Sequence, residues 1–251
     1  MNRREFSRGL VVLGAAGLGG AGCSAATSAR AASGANPSAR VYEEPARRLP
    51  VHECDVVVAG AGTAGVVAAL AAARNGARTV LIERKGYPGG TVTEGGTALH
   101  SFYNLWKAFP QAQKRQVVRG IAQEIIDRLM PLGGCTGHAE MTKGYNYDSV
   151  CTAIDTELYK LVTFRMLDEA GVTCQMNTLL VDAIVDGGRV RGVVTESRSG
   201  RQAVFAKCFI DCTAFGDLSA YAGAACNEPN DYPVVNSIGV GNVSMEKYHA
   251  W

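Results

Sequence analysis

The stretch CDVVVAGAGTAGVVAALAAARNGARTVLIERKGYPGGTVTEGG, Cys54 to Gly96, decides the fold. It opens on an apolar run, Val56 to Ala59, of the length of a buried parallel strand. Gly60, Gly62 and Gly65 follow in a Gly-x-Gly-x-x-Gly pattern. An Ala-rich run, Val66 to Arg74, has the composition of a helix, and Asn75-Gly76 ends it. A second apolar run, Thr79 to Ile82, closes on the acid Glu83. Strand, glycine turn, helix, strand and terminal acid together predict a β-α-β unit built to hold a dinucleotide.

Each residue type has a physical reason to be there. Gly60 permits the tight turn from strand to helix, and Gly65 lets the helix pack close to the strands. Gly62 carries no Cβ, so a pyrophosphate can come down onto the backbone, with Ala64 beside it in the same loop. The helix N-terminus offers unpaired N–H groups and a positive dipole end to that phosphate. Glu83 is placed to accept from both ribose hydroxyls, and its charge would repel a 2′-phosphate, which argues against NADP.

The residues after Glu83 carry a resemblance. The run ERKGYPGGTVTEGG resembles the FAD-binding flavoproteins related to fumarate reductase and glutathione reductase, and most closely a bacterial family of FAD-dependent oxidoreductases, many of them exported. In that group a basic residue follows the acid, here Arg84, and a Gly-Gly pair passes close to the cofactor, here Gly89-Gly90 followed by Thr91. Two later motifs resemble the same family. Asn177-Thr178-Leu179-Leu180 matches its Thr-x-apolar motif, with Leu180 where a backbone group meets the adenine. Cys212-Thr213-Ala214-Phe215-Gly216-Asp217 matches the family's Ala-Thr-Gly-Asp-Gly-Asp turn under the pyrophosphate at Thr213, Gly216 and Asp217. Ala214 and Phe215 replace Gly and Asp, which puts close backbone approach at Ala214 in question. The resemblance covers residues 53 to 245 and implies a Rossmann-like FAD-binding domain, with FAD exchanging a hydride with a small organic substrate.

The first residues belong to no fold. Arg3-Arg4-Glu5-Phe6 with Arg8 forms a twin-arginine pattern, ahead of a weakly apolar run, Gly9 to Gly22, too short to span a bilayer. Ala29-Arg30-Ala31 offers a peptidase site, so residues 1–31 are expected to leave on export to the periplasm. Cys23 is the rival signal, lipid attachment, but Gly20 stands where a lipobox calls for Leu. Residues 1–31 carry +3 of the net charge of +2, so the remainder stands at −1 and offers no basic face to nucleic acid. Residues 32–50, rich in Pro, Ser and Ala, are expected to be a linker. The eight cysteines include no Cys-x-x-Cys pair, which indicates neither a dithiol redox motif nor a zinc site, and no metal is expected.

The α/β pattern is expected over residues 51–99 and 148–226, interrupted by an insertion, 100–147, toward the substrate side. Within the insertion, His100 follows the Gly-Gly pair in an aromatic, polar cluster and is the candidate proton donor or acceptor beside the flavin. His138, Lys143 and Tyr145 are expected in an exposed loop. A helix is expected from Gln116 to Met130 and another from Asp148 to Ala170. Residues 172–175 should add a strand to the parallel sheet, and the alternating segment after it should form an antiparallel meander, turning at Gly187-Gly188 and Ser199-Gly200. Asp217 is expected to cap a final helix. Residues 227–251 have the pattern of the opening of a substrate domain, which predicts that a C-terminal half is missing. The rival readings are an NAD-dependent dehydrogenase, which Gly89-Gly90 and the meander oppose, and a non-catalytic dinucleotide-binding fragment. Neither the substrate nor the electron acceptor is legible.

Overall fold

The computed structural model describes residues 42–95, 99–101, 116, 118–140, 150–225, 243–244 and 246–247. The leader, residues 32–41 of the linker, Lys143, Tyr145 and residues 232–242 therefore lie outside the described residues, as does the His100 side chain. Residues 49–251 form a unit separate from residues 1–48, and everything below concerns the former.

The described elements begin with β1 (Val51–Glu53), β2 (Val56–Ala59), α1 (Thr63–Arg74) and β3 (Thr79–Ile82). A single turn, α2 (Thr91–Glu94), leads to β4 (Leu99–Ser101), then α3 (Ile121–Leu129) with a 3-10 turn at its end, and the strands β5 (Ala139–Glu140) and β6 (Val150–Ala153). α4 (Thr156–Glu169), β7 (Thr173–Gln175), β8 (Leu179–Asp186), β9 (Arg189–Ser197), β10 (Gly200–Phe205), β11 (Cys208–Asp211) and α5 (Asp217–Tyr221) complete them.

Three sheets result. The parallel sheet runs β11-β2-β3-β7, the meander sheet β1-β10-β9-β8, and a small antiparallel sheet β4-β6-β5. Alternation along β2 divides the core. Val58 faces the helices and joins Val66, Leu70, Leu81, Met166 and Leu167. Val57 and Ala59 face the other way, toward Val193 and Val204 of the meander. The unit is thus three layers, helices on parallel sheet on meander. The Rossmann-like parallel sheet with its antiparallel meander is the expected fold.

Two expected helices are corrected. Gln116 to Met130 yields only Ile121–Leu129, because Gly120 sits at φ 67 and stops the helix in front of Ile121. Asp148 to Ala170 is not one helix: Val150–Ala153 is a strand between β4 and β5, and helix begins only at Thr156. Asp155 enforces that start, its Oδ1 accepting from the N–H groups of Glu157 and Leu158 at 2.9 Å each. Residues 51–53, at the edge of the expected linker, pair in parallel with β10.

Candidate functional site

The loop after β2 brings its three glycines to three different situations. A Cβ on Gly60, whose φ is +93, would lie 2.3 Å from the Cys212 carbonyl oxygen. A Cβ on Gly65 would lie 1.8 Å from the Gly60 carbonyl oxygen. Both glycines are thus required by packing. Gly62 is different: its φ of −65 and ψ of −175 suit any residue, and a Cβ there would meet nothing within 4 Å. Gly62 is also the N-cap of α1, and among the described residues no side chain caps that helix end. Room at an uncapped helix N-terminus is what a pyrophosphate needs.

The second glycine pair closes on the first. Gly62 and Gly89 form an isolated parallel bridge, and Gly89 N–H donates to the Ala61 carbonyl at 2.8 Å. A Cβ on Gly90, at φ +55, would lie 3.0 Å from Gly62 Cα. Thr91 begins α2 directly behind. Tyr87 braces the loop: its hydroxyl donates to Glu94 at 2.7 Å, and Lys160 of α4 lies 3.9 Å from its ring centre. The shared hydrogen bond holds the Glu94 carboxyl below its ordinary range and the Tyr87 phenol above its own.

Glu83 is buried, and both of its oxygens are engaged. Oε2 accepts from Ala61 N–H at 2.6 Å and Oε1 from Lys85 N–H at 2.8 Å. The acid that sequence reasoning assigned to ribose therefore first ties the glycine loop to the end of β3. A carboxylate has about four lone-pair positions, so two remain for hydroxyls. Past Glu83 opens a cavity of about 1010 Å³, lined by Arg84, Lys85, Asn177, Thr178, Leu179 and Arg198 among others. Leu179 lines the cavity, whereas the Leu180 side chain packs into the core beneath the meander.

The turn after β11 differs from the expectation at Asp217. Gly216 is the N-cap of α5, and the Asp217 side chain caps nothing. Instead Asp217 N–H donates to Thr213 Oγ1 at 2.8 Å. Thr213 in turn donates, through its N–H and hydroxyl, to Asp211 at 3.1 and 2.7 Å. Ser219 donates to the other Asp211 oxygen through its N–H at 2.8 Å and its hydroxyl at 2.7 Å. Burial works to raise the Asp211 pKa, but these four bonds outweigh it and leave the carboxyl below its ordinary value. Sequence reasoning passed over Asp211; the signal was hydroxyls two and eight residues after a strand-ending acid. Ala214 adopts φ 72, a conformation that glycine takes more readily, and Phe215 stands 79% exposed beside it.

His100 lies in β4, in register with Thr152 of β6. His138 is held by Thr152 and Gln123. Among the described residues no cluster of His, Cys, Asp or Glu is placed to hold a metal, the cysteines are free thiols, and no helix is long and apolar enough to cross a membrane.

Comparison with known proteins bears on this geometry. The family model described as FAD dependent oxidoreductase matches residues 55–246. The chain belongs to that family. Its cofactor is FAD, and the open ground over Gly62 and the Gly62–Gly89 contact suit the diphosphate of that molecule. A thiamine thiazole synthase of Aeropyrum pernix is 33% identical over 141 residues, 56% of this chain and 43% of its own length. A probable electron transfer flavoprotein-quinone oxidoreductase of Escherichia coli is 30% identical over 144 residues, 57% of this chain and 32% of its own. The chain thus spans less than half the length of these curated relatives. Among solved structures, a geranylgeranyl bacteriochlorophyll reductase-like protein of Thermoplasma acidophilum aligns with a TM-score of 0.50 at 19% identity, over 69% of this chain and 42% of that one. At that identity the likeness concerns the fold alone.

Proposed function

We propose that this protein is a flavin-dependent oxidoreductase that binds FAD across the Gly60–Gly65 loop and acts on a small organic substrate. The observation that carries it is Gly62, free of any packing demand yet glycine, at an uncapped helix end clasped by Gly89-Gly90. The diphosphate lies over Gly62, held by α1 N–H groups and by the helix dipole. Glu83 takes the ribose hydroxyls with its remaining lone pairs, and the adenosine end points into the cavity beside Arg84. The Asp211–Thr213 turn supports the diphosphate from the other side of Gly60, and Asp217 marks the start of its helix. When bound, FAD supplies the group that accepts or delivers a hydride. His100, in the strand that follows the Gly-Gly loop, is the proposed proton-handling residue. The electron acceptor is a second partner of unassigned class.

The visible spectrum of the purified protein tests this reading. Flavin bands near about 450 nm that bleach with a reducing substrate are the expected result. A protein that stays colourless after incubation with excess FAD refutes it. We also propose export by the twin-arginine route, supported by Arg3-Arg4, the weak apolar run and Ala29-x-Ala31. Replacing Arg3 and Arg4 by Lys together should retain the protein in the cytoplasm; normal export of that variant refutes the route, and a mature start at Cys23 would indicate lipidation instead.

A further inference from the structure

One hydrogen-bonded chain outside the nucleotide loops ends on a titratable ring. Gln123 Nε2 donates to Asp127 Oδ1 at 2.8 Å, which turns the amide oxygen of Gln123 toward His138. That oxygen lies 2.9 Å from His138 Nε2, so Nε2 carries the proton. Nδ1 is then the acceptor, and Thr152 Oγ1, 2.6 Å away, donates to it. The chain fixes both the tautomer and the direction of the Thr152 hydroxyl. A second proton on the ring would put N–H on Nδ1 and force Thr152 to reverse. Thr152 is completely buried, so its displaced hydroxyl proton has no water to turn to.

Thr152 is tied to the cofactor loop from both ends. In one direction it pairs in register with His100 of β4, the strand that follows α2. In the other, β6 runs into the Asp155 cap of α4, whose Lys160 covers Tyr87. Tyr87 binds Glu94 of α2, and α2 is capped by Gly90, the residue against Gly62.

We propose that His138 is a positioning residue for the flavin site: its neutral ring holds Thr152 and the β4–β6 pair in place, and protonating it alters the surroundings of the bound flavin. The inference rests on the FAD reading above. His138 is an exposed residue, and the partial desolvation of its ring lowers the His138 pKa while Asp127 on α3 acts in the opposite sense. Glu124 of the same helix is committed to Arg74 and Arg128. β6 brings Cys151 next to Thr152, and β4 brings His100.

The test uses the flavin-loaded protein, titrated from about pH 8 to 5 with flavin absorbance and fluorescence as readouts. A step is expected with its midpoint below the ordinary histidine value of about 6.5. His138→Gln, which can hydrogen-bond but cannot titrate, should retain flavin and lose the step. Thr152→Val should also lose the step while His138 still titrates by NMR, an outcome that mere structural support would not give. A step that survives in His138→Gln, or no step in flavin-loaded wild type, overturns the proposal and leaves FAD binding intact. A protein that binds no flavin overturns the FAD reading itself and this inference with it.

Discussion

Alanine substitution at Gly62 and Gly65 should separate folding from cofactor binding within one four-residue span. At Gly65 the new methyl would sit 1.8 Å from the Gly60 carbonyl oxygen, far inside contact distance, and that oxygen is backbone. Either α1 moves off the sheet or the loop distorts. Overpacking of this kind costs about 1–3 kcal/mol. For a unit of this size each kcal/mol lowers the melting temperature by about 2–4 °C, so a fall of about 2–12 °C is expected. At Gly62 the methyl meets nothing within 4 Å, and φ −65 is ordinary for alanine. The only stability cost is a poorer N-cap residue, about 1 kcal/mol at most. The same methyl, however, occupies the ground over the helix end. Pushing a diphosphate back from the α1 N–H groups removes a charge-assisted hydrogen bond worth about 1.5–3 kcal/mol, roughly a 10- to 150-fold loss of FAD affinity. Thermal melts of the flavin-free proteins and FAD titration by fluorescence quenching give both numbers. The reasoning fails if Gly62→Ala binds FAD as wild type does, or if it melts as low as Gly65→Ala.

Three further outcomes are expected. Glu83→Ala strands the Ala61 and Lys85 N–H groups and removes the ribose acceptor; it should weaken FAD binding by about 1–3 kcal/mol, and unchanged flavin occupancy in the purified variant would contradict the assignment. Ala214→Gly relieves a left-handed residue, about 1–2 kcal/mol, against about 0.5–1 kcal/mol of extra unfolded-chain freedom; a melting temperature no higher than wild type would show that the turn carries no strain. Because the folded-state pKa of Asp211 is depressed, its contribution is present above the unfolded value of about 3.9 and lost as pH falls through the folded one; wild-type stability should therefore drop more steeply below about pH 4 than that of Asp211→Asn, and parallel curves would refute the network's weight.

What the sequence disclosed was what is local. The run from Cys54 to Gly96 holds strand, turn, helix and acid in consecutive residues; β2 and β3 form where the pattern put them, and α1 ends at Arg74 as expected but starts three residues earlier than Val66, at Thr63. The meander turns at Gly187-Gly188 were equally legible, since both residues need positive φ. Non-local pairing was not. Val150, Ile154 and Leu158 recur at helical spacing, yet Val150–Ala153 is a strand because β4, some fifty residues earlier, supplies its partner. The same limit hid the long-range side-chain contacts. Glu83 reaches Ala61 across 22 residues, and His138 reaches Thr152 across 14. Leu179 and Leu180 are adjacent and chemically identical, and only the pleat of β8 decides which lines the cavity.

The turn after β11 shows how the chain holds a non-glycine residue in a left-handed conformation. A glycine at position 214 would take φ 72 freely; Ala214 takes it under strain. Strain of that kind persists only where the flanks are over-determined. Here they are. Asp211 clamps Thr213 on one side of Ala214 and Ser219 on the other, each through two hydrogen bonds. Thr213 then holds Asp217 N–H, so the residues before and after the strained one belong to a single network. The cost of the alanine is met by one carboxylate, whose four accepted hydrogen bonds favour its ionised form when the turn is closed. One hydrogen-bonded network thus fixes the left-handed backbone of the turn that packs against Gly60.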